Sequence, residues 1–397
     1  RCAGSLFHSS AVMAQTTPLR GGGESGGDVF DLAVIGRGMM GSAAAKYAVQ
    51  DGGGKSRVVL IGPDEPSPQE LSSREIFGAH YDEGRITRKT DPDPTWALLA
   101  QRSIDRYREI EGASGVAFYE ACGHLAVAPE GSESLEKRVA NAVSQNVAHE
   151  RLSHEQLRTR FPYLSFPPGS VGVYETEGAG YLSARKLVQA QTVLAEKGGC
   201  HVISEEATSV EKIQGGSQNS GSELFEVTLK GGSKVLSKKV LVAVGAFVNS
   251  RKLLPAGADG QHVTLEVTGW KTQTVQMEIG EADAARLQGM PSVIFRDEKR
   301  WCYLLPPIQY PDGKTIIKLG ANTIQSLTDG GGRELPTHEE VVQWYRGEGD
   351  VDLKEMNLGM LHEIVPDLTP LNVRSNTCVT AHTPTTLPFI GPVLRQS

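Results

Sequence analysis

The chain has 397 residues, of which 39% are hydrophobic, and a formal net charge of −7. This length favours two domains over one simple core, and no apolar run is long enough to span a membrane. The acidic balance argues against nucleic-acid binding as the main function. The five cysteines are scattered and form no Cys-x-x-Cys pair. We therefore expect a reducing compartment, with neither a disulfide framework nor a metal site.

Residues 1–29 differ in composition from the rest of the chain. They include two arginines and several serines and threonines, and no acidic residue precedes Glu24. This composition is typical of an organellar transit peptide, or of a disordered stretch before the first strand. We expect a leader or disordered segment here and an intracellular protein, with peroxisome, mitochondrion and cytosol left open.

A glycine-rich turn follows between an apolar run and a helix. Residues 32–35 are apolar and predict a buried strand, and residues 42–49, rich in small side chains, predict the helix. Gly36 permits a tight turn, Gly38 lets the backbone approach a pyrophosphate, and Gly41 lets the helix pack closely on the strand. The helix N-terminus then faces the phosphates. The pattern predicts a dinucleotide-binding unit.

The second strand of this unit, predicted at residues 57–61, both supports and complicates that interpretation. A carboxylate that binds the ribose hydroxyls normally follows the strand, but here the position is occupied by Gly62. Asp64 and Glu65 lie just beyond it and could reach back. The missing carboxylate weakens an interpretation as an NAD site without excluding FAD.

Three helices are predicted further along the chain. Residues 95–111 place five apolar side chains at spacings that suggest one helical face: Leu98, Leu99, Ile104, Tyr107 and Ile110. A second helix is predicted at residues 135–147. A third begins after Ser183, which is a suitable N-cap, and ends at Gly198.

Strands are predicted at residues 124–127, 201–204, 224–229 and 239–244, the last of which leads into Gly245 and Ala246. From residue 263 the pattern changes to alternating apolar and polar residues, which predicts an antiparallel sheet rather than further βαβ units. The alternating runs are residues 273–279, 301–305 and 315–319. The order of elements predicts a cofactor domain interleaved with a β-rich substrate domain.

Together these features resemble the FAD-dependent amine oxidases of the sarcosine oxidase, or N-methyl amino acid oxidase, type, within the D-amino-acid-oxidase-like superfamily. The resemblance covers residues 30–391, most of the chain. It rests on motifs whose order and spacing match that family: the glycine triplet, residues 85–88, residues 240–247, Tyr303 with Pro306, residues 318–320, and Cys378 with the threonine-rich segment after it.

The resemblance implies an α/β fold in which a Rossmann-type FAD-binding domain is interleaved with a β-rich (α+β) substrate domain. FAD-binding parts are expected at residues 30–120, 166–255 and 376–397, and substrate-domain parts at residues 121–165 and 256–375. Family members continue past the position of Ser397 with a strand, a Gly-rich loop and a closing helix. We therefore expect that the C-terminal part of the FAD domain is missing from this sequence.

The chemistry implied is oxidation of the C–N bond of a secondary or N-methyl amino acid. Hydride passes to FAD, water hydrolyses the resulting imine, and O2 is reduced to H2O2; the partners are thus a small amino acid or amine and O2. Two positions depart from the family. Asn322 replaces a pocket histidine and Thr380 replaces a tyrosine, so sarcosine itself cannot be assumed to be the substrate.

The resemblance assigns catalytic roles to four residues. Arg85 would lie beside the flavin ring, and Arg88 would bind the substrate carboxylate through its planar fork. Lys318 would hold a water over the flavin and supply positive charge as O2 is reduced. Tyr303 would line the substrate pocket. Without the resemblance, both arginines could be surface residues of a charged loop, and Lys318 could be a solvent-facing strand residue.

The resemblance also implies a set of FAD-binding residues. Cys378 would attach FAD through a thioether, the alternative being a small buried cysteine with no such role. The full set is Gly36, Gly38, Met39, Met40, Gly41, Asp64, Arg85, Val210, Gly245, Ala246 and Cys378.

Two further interpretations of the chain stay open. One is a flavin dehydrogenase that passes electrons to an acceptor other than O2. The other is a truncated, non-catalytic remnant. The substrate side chain and the oligomeric state are not indicated by the sequence.

Overall fold

A computed structural model describes residues 29–214, 223–256, 260–323 and 334–393. The leader expected at residues 1–29 lies outside the described residues except for Val29, and residues 394–397 of the last FAD-binding part also lie outside them. The helices are α1 (Met39–Asp51), α2 (Pro94–Ser114), α3 (Glu133–Ser144), α4 (His154–Arg160), α5 (Ala184–Lys197), α6 (Glu281–Arg286), α7 (His338–Arg346) and α8 (Val351–Ile364).

The strands of the described residues form four sheets. In chain order the strands are β1 (Leu32–Ile35), β2 (Val58–Ile61), β3 (Arg85–Thr87), β4 (Tyr119–Glu120), β5 (His124–Pro129), β6 (Glu150–Leu152), β7 (Ser170–Glu175), β8 (Gly180–Leu182), β9 (His201–Ile203), β10 (Ala207–Gln214), β11 (Glu223–Leu229), β12 (Lys234–Ser237), β13 (Val240–Val242), β14 (Thr268–Ile279), β15 (Ser292–Arg296), β16 (Arg300–Gln309), β17 (Thr315–Thr323), β18 (Glu334–Leu335) and β19 (Pro370–His382).

A four-stranded parallel sheet in the order β13-β1-β2-β9 is the first of these. Its central strands are nearly continuous apolar runs because both faces are covered. On one face α1 and α5 pack through Ala45, Val49 and Ala195. On the other face lies the antiparallel sheet β10-β11-β12, which contributes Val227 and Leu229 to a shared core. The predicted strand–helix–strand unit is confirmed.

The buried face of helix α2 differs from the predicted one. Its buried side chains include Ala97, Ile104, Tyr107 and Ile110, whereas Leu98 and Leu99 are 40% and 38% exposed. At about 100° per residue, the two leucines lie about 120° and 140° away from Ile104 around the helix axis. The prediction that they share its buried face was wrong.

The nine-stranded sheet has the order β18-β14-β17-β16-β15-β5-β7-β6, with β19 added alongside β14. The predicted antiparallel pairing is confirmed for β14, β16 and β17, while β5 and β15 pair in parallel. One face packs on α4 and α8 through a large apolar core that includes Leu304, Leu319 and Leu361. Because side chains alternate along a strand, Tyr303 and Lys318 lie on the opposite face.

A small sheet, β3-β8-β4, completes the set. Strand β3, which contains Arg85, was not predicted from the sequence; it pairs with β8 through Arg85 and Leu182. The predicted fold class, a Rossmann-type α/β part combined with a β-rich part, is confirmed. Among the helices of the described ranges, none is long and apolar enough to cross a membrane.

Candidate active site

The glycine-rich turn lies at the carboxyl end of β1. Gly36 has a φ of +108°, and a Cβ added there would lie 2.4 Å from the Ala243 carbonyl oxygen. A Cβ at Gly41 would lie only 1.7 Å from the carbonyl oxygen of Gly36. Both positions therefore require glycine, which brings the start of α1 against the end of β1 as the motif demands.

The first turn of α1, which includes Met39 and Met40, offers unsatisfied backbone N–H groups. Its N-cap, Gly38, makes no side-chain capping bond, and the first turn contains no acidic residue. An added Cβ at Gly38 would meet nothing closer than Nδ1 of His80, at 3.9 Å, and this buried nitrogen has no hydrogen-bond partner among the described residues. An open glycine, free N–H groups and an unpaired imidazole fit the pyrophosphate of a dinucleotide such as FAD.

His80 is held neutral at physiological pH. Burial lowers its pKa to about 4, and the positive charges of Arg185, Arg37 and Arg85 act in the same direction. A neutral imidazole contributes no charge and presents one donor and one acceptor nitrogen. It was not recognised from the sequence, because a single histidine with no partner nearby in the chain gives no signal.

Arg37 links the glycine turn to the neighbouring strands. Its guanidinium donates to Ser204 Oγ at 2.8 Å and pairs with the largely exposed Asp64. A Cβ at Gly62 would lie 2.6 Å from the Arg37 backbone nitrogen, so this position has no room for the carboxylate usual in the motif. The structure thus brings Asp64 to the glycine turn through Arg37.

Gly245 with Ala246 and Val210, which were also predicted to bind FAD, lie in two different places. Gly245 and Ala246 form a 3-10 turn just after β13, and the Gly36 turn touches Ala243 two residues earlier. Val210 lies in β10, where its N–H donates to the Lys252 carbonyl at 2.9 Å. Its side chain packs in the apolar core between the two sheets. The role of Val210 in cofactor binding stays a prediction.

Lys318 lies at the centre of a buried charged group that we call the Lys318 cluster: Lys318, Asp82, Arg85 and Tyr310. Lys318 is 1% exposed, so the solvent-facing interpretation was wrong. Its Nζ forms an ion pair with Asp82 and donates to the Gly84 carbonyl at 2.5 Å. Asp82 also pairs with Arg85 and accepts from the Tyr310 hydroxyl at 2.9 Å.

The pKa shifts in the Lys318 cluster follow from burial and from the shared carboxylate. Burial lowers the pKa of Lys318 to about 8, although the charge of Asp82 opposes this. Burial alone would raise the pKa of Asp82, but the charges of Lys318 and Arg85 hold it well below its usual range. Burial would lower the pKa of Arg85, and Asp82 raises it above its usual value. Two cations share one carboxylate, so below about pH 8 the three groups have a net charge of +1.

Tyr303 and Cys378 lie beside the Lys318 cluster. In the β16–β17 register Tyr303 faces Gly320, and a Cβ there would lie 2.7 Å from the tyrosine ring. Burial raises the pKa of Tyr303 to about 12, with Arg85 opposing the shift. Cys378 is half-buried, and its charge, when ionised, acts on Arg85, Lys318 and Tyr303. The structure therefore brings together Lys318, Arg85, Tyr303 and Cys378.

Asn322 lies on β17, an interior strand of the nine-stranded sheet, and Thr380 lies on β19, which pairs with β14. Asn322 pairs with Trp301 in the β16–β17 register, and Thr380 pairs with Trp270 in the β14–β19 register. Asn322 is four residues beyond Lys318 on β17, so the two share one face of the sheet. Asn322 thus places a short amide on the same face of the sheet as Lys318 and Tyr303.

Arg88 lies in a different environment from Arg85. Its Nη2 donates to Asp91 at 2.5 Å, and its buried Nε has no hydrogen-bond partner among the described residues. Burial lowers the pKa of both His124 and Arg138, and the positive charge of Arg88 acts in the same direction. The structure places Arg88 beside these two groups rather than in the Lys318 cluster.

Asp82 and Tyr310 were missed by sequence reasoning. Asp82 was only part of a charged loop, and it is 236 positions away from Lys318 in the chain. The available signal was physical: a lysine predicted on an inward-facing strand position needs a carboxylate partner. The sequence does not say which of its 47 acidic residues fills that role.

Comparison with known proteins agrees with this geometry. The sequence pattern of the DAO family, described as FAD dependent oxidoreductase, matches residues 31–397. An N-methyl-L-tryptophan oxidase of Yersinia pestis (strain Pestoides F) is 28% identical over 228 residues, covering 57% of this chain and 56% of that protein. The match thus spans little more than half the length of the curated relative.

Solved structures of amino acid oxidoreductases share the fold. NikD, an unusual amino acid oxidase essential for nikkomycin biosynthesis, gives a TM-score of 0.65 at 15% identity, over 89% of this chain and 82% of that one. L-proline dehydrogenase from P. horikoshii gives 0.65 at 16%, over 92% and 85%. Glycine oxidase from Geobacillus kaustophilus gives 0.60 at 15%, over 91% and 85%. The chain belongs to the DAO family of FAD-dependent oxidoreductases.

Proposed function

We propose that this chain oxidises the C–N bond of a secondary or N-methyl amino acid with FAD as cofactor and O2 as electron acceptor. The main support is the Lys318 cluster, a buried group of net positive charge beside Tyr303 and Cys378. When bound, FAD supplies the hydride acceptor for the carbon next to nitrogen and the route for two electrons to O2, which leaves as H2O2. Water hydrolyses the imine product.

Arg88 is proposed to hold the α-carboxylate of the substrate. Its side chain is 23% exposed, and among the described residues its one ion pair is that of Nη2 with Asp91, so part of its planar fork is available for a charge-assisted contact. Tyr303 is protonated at physiological pH, since burial raises its pKa from an already high 10.0 to about 12, and its hydroxyl serves as a neutral hydrogen-bonding group. These contacts orient the amine without transferring a proton.

Lys318 is proposed to stabilise the negative charge that develops on O2. Its ammonium is fixed by Asp82 and Gly84, so the charge needs no reorganisation when electrons arrive. Burial in a water-poor site strengthens this electrostatic effect. Arg85 adds a second fixed cation to the same group.

The cofactor is proposed to bind along the carboxyl ends of the parallel strands, the usual ligand edge of such sheets. Gly36, Gly38 and Gly41 with the first turn of α1 would hold the pyrophosphate. Gly245 and Ala246 lie at the same edge. At the other end, Cys378 is proposed to bind FAD covalently, since its half-buried thiol lies with the Lys318 cluster.

A flavin dehydrogenase is a second candidate, and one observation favours it. Lys318 is already paired with Asp82, and this pairing reduces the field that the ammonium exerts on an approaching O2. If the negative charge of Asp82 cancels most of the field of Lys318, reaction with O2 would be slow and the electrons would pass to another acceptor.

The test uses the FAD-loaded chain with a panel of N-methyl and secondary amino acids. The proposal expects O2 consumption and H2O2 formation in equal amounts, dependent on substrate. Turnover with a redox dye but without O2 consumption would establish the dehydrogenase instead. Absence of turnover with either acceptor, in protein with flavin bound, would contradict both.

A further inference from the structure

A second polar site lies between α3 and the polar face of the nine-stranded sheet. It is a cavity of about 120 Å³, which we call the arginine cavity. Since one water needs about 10–15 Å³ of such space, a short side chain with a carboxylate fits. Among the described residues its lining contains two arginines and no acidic residue, with Ser134, Arg138, Arg296, Trp301, Ala126 and Ile294 as the main contributors.

The two arginines that line this cavity are not neutralised by any described acidic residue in the same lining. Arg138 is 6% exposed, and its Nη1 donates to the Thr90 carbonyl at 2.7 Å. No carboxylate of the described residues lies within ion-pair distance of Arg138 or of the exposed Arg296. Burial lowers the pKa of Arg138 to about 9, and the charges of Arg88 and Arg296 add to this, while the more distant carboxylates of Asp91 and Glu175 oppose it only in part. A buried cation without an ion-pair partner is costly, and an anionic ligand in direct contact with Arg138 would reduce that cost.

The cavity adjoins the candidate active site. The ring of Trp301, which lines it, lies 5.5 Å from the ring of Tyr303. Ile294, also in its wall, pairs directly with Tyr303 in the β15–β16 register. Arg88 lies close enough to shift the pKa of Arg138. A substrate held by Arg88 and Tyr303 would therefore extend its side chain toward the arginine cavity.

We propose that the arginine cavity binds a side-chain carboxylate of the substrate, so that the preferred substrates are N-methyl or secondary amino acids with a second acidic group. This inference rests on the proposed function and names the substrate class of the same site. The α-carboxylate is bound by Arg88, and the second carboxylate by Arg138, Arg296 and Ser134. A neutral side chain would leave Arg138 buried without an anion.

The first experiment compares N-methyl-L-glutamate with its neutral isostere N-methyl-L-glutamine on the FAD-loaded chain. The two differ in charge but hardly in shape, so kcat/KM should favour the acid by about 10- to 100-fold, the usual value of a charge-assisted contact. Arg138→Gln keeps a donor for the Thr90 carbonyl and should remove most of that preference. Arg296→Gln should reduce it less, since Arg296 is exposed. The matched control, Arg158→Gln on the surface of α4, should change neither value.

The second experiment measures binding without turnover. Calorimetry with glutarate, a dicarboxylate probe, should show binding to the FAD-loaded chain that is lost in Arg138→Gln and weakened in Arg296→Gln. Equal kcat/KM for the two substrates, or glutarate binding unchanged in both variants, would overturn the inference while leaving the oxidase function intact. If no amino acid reduces the bound flavin, the proposed function fails, and glutarate binding alone decides whether the cavity is an anion site.

Discussion

The Lys318 cluster and the arginine cavity are both cationic, yet their charges are handled in opposite ways. In the cluster, Asp82 pairs with Lys318 and Arg85 and accepts a hydrogen bond from Tyr310. In the cavity, the lining contains Arg138 and Arg296 and, among the described residues, no carboxylate. The cluster is thus built to keep a fixed charge in place, whereas the cavity lacks the anion that a ligand would supply.

Asp82→Asn is expected to have the largest effect, because it removes the carboxylate that distinguishes the Lys318 cluster from the arginine cavity. The change leaves two buried cations without their carboxylate, which costs about 3–5 kcal/mol of unfolding free energy. The control is Asp105→Asn, since Asp105 forms an exposed pair with Lys89 at 2.9 Å and such pairs contribute at most about 1 kcal/mol. Urea unfolding of the FAD-loaded proteins measures both.

The Asp82 contribution also has a defined pH dependence. Its folded pKa lies below the ordinary value of 3.8, so its stabilisation is fully present above that pH and is lost as the pH falls further. An Asp82→Asn variant that is no less stable than Asp105→Asn would show that the cluster does not depend on its carboxylate.

Lys318→Met is expected to slow the reaction of reduced flavin with O2 by about 10²–10³-fold, the effect of losing one preorganised electrostatic group. Flavin reduction by substrate should change far less, because little negative charge develops near Lys318 in that step. The control is Lys314→Met, a partly exposed lysine just before β17 that pairs with Glu278. Stopped-flow absorption separates the two half-reactions, and equal slowing of both would contradict this role.

The lowered pKa of Lys318 should make the reoxidation rate and the folding stability change in opposite directions with pH. Because its folded pKa is about 8 rather than 10.5, reoxidation should slow as the pH rises through about 8, while flavin oxidation in Lys318→Met shows no such step. Over the same range the unfolded chain binds the proton more tightly, so this group makes the folded state more stable as the pH rises from about 8 to 10.5.

Arg88→Ala tests where the α-carboxylate binds. Loss of a charge-assisted contact should cost about 1.5–3 kcal/mol in kcat/KM for amino acids and little for amines without a carboxylate. Arg102→Ala, an exposed residue of α2, is the matched control and should behave as the unaltered chain. Equal losses for both substrate classes would place the carboxylate elsewhere.

Cys378→Ser is expected to have the smallest effect on rates and a clear effect on cofactor retention. Acid precipitation of the unaltered, FAD-loaded chain should leave the yellow colour in the pellet, and the variant should release it. Cys122→Ser, another half-buried cysteine, should retain it. Colour released by acid from the unaltered chain would show that Cys378 is only a packing residue.

The fold could be predicted largely from local sequence. Strand β1, the glycine turn and α1 form one continuous pattern, and Ser183 caps α5 through the Lys186 N–H at 3.2 Å, as expected. The exposed faces were harder to predict. Leu98 and Leu99 lie within a regular apolar pattern, but the packing of α2 on its neighbours decides which side is buried.

The candidate site was only partly predictable. Lys318, Arg85, Tyr303 and Cys378 were found through a family resemblance, and the structure brings them together. Asp82 and Arg138 gave no motif, because their partners come from distant parts of the chain. Arg138 is one of 40 lysines and arginines, and nothing in the local sequence distinguishes it from an exposed helix residue. It is buried only because the folded chain packs around it.

The central claim, that this chain oxidises amino acids through bound FAD, is tested most directly by anaerobic mixing with an N-methyl amino acid while flavin absorption is recorded. The account predicts that the band of oxidised flavin disappears and returns when O2 is admitted, with one H2O2 formed per substrate. Bound flavin that stays oxidised with every N-methyl and secondary amino acid tried would contradict it.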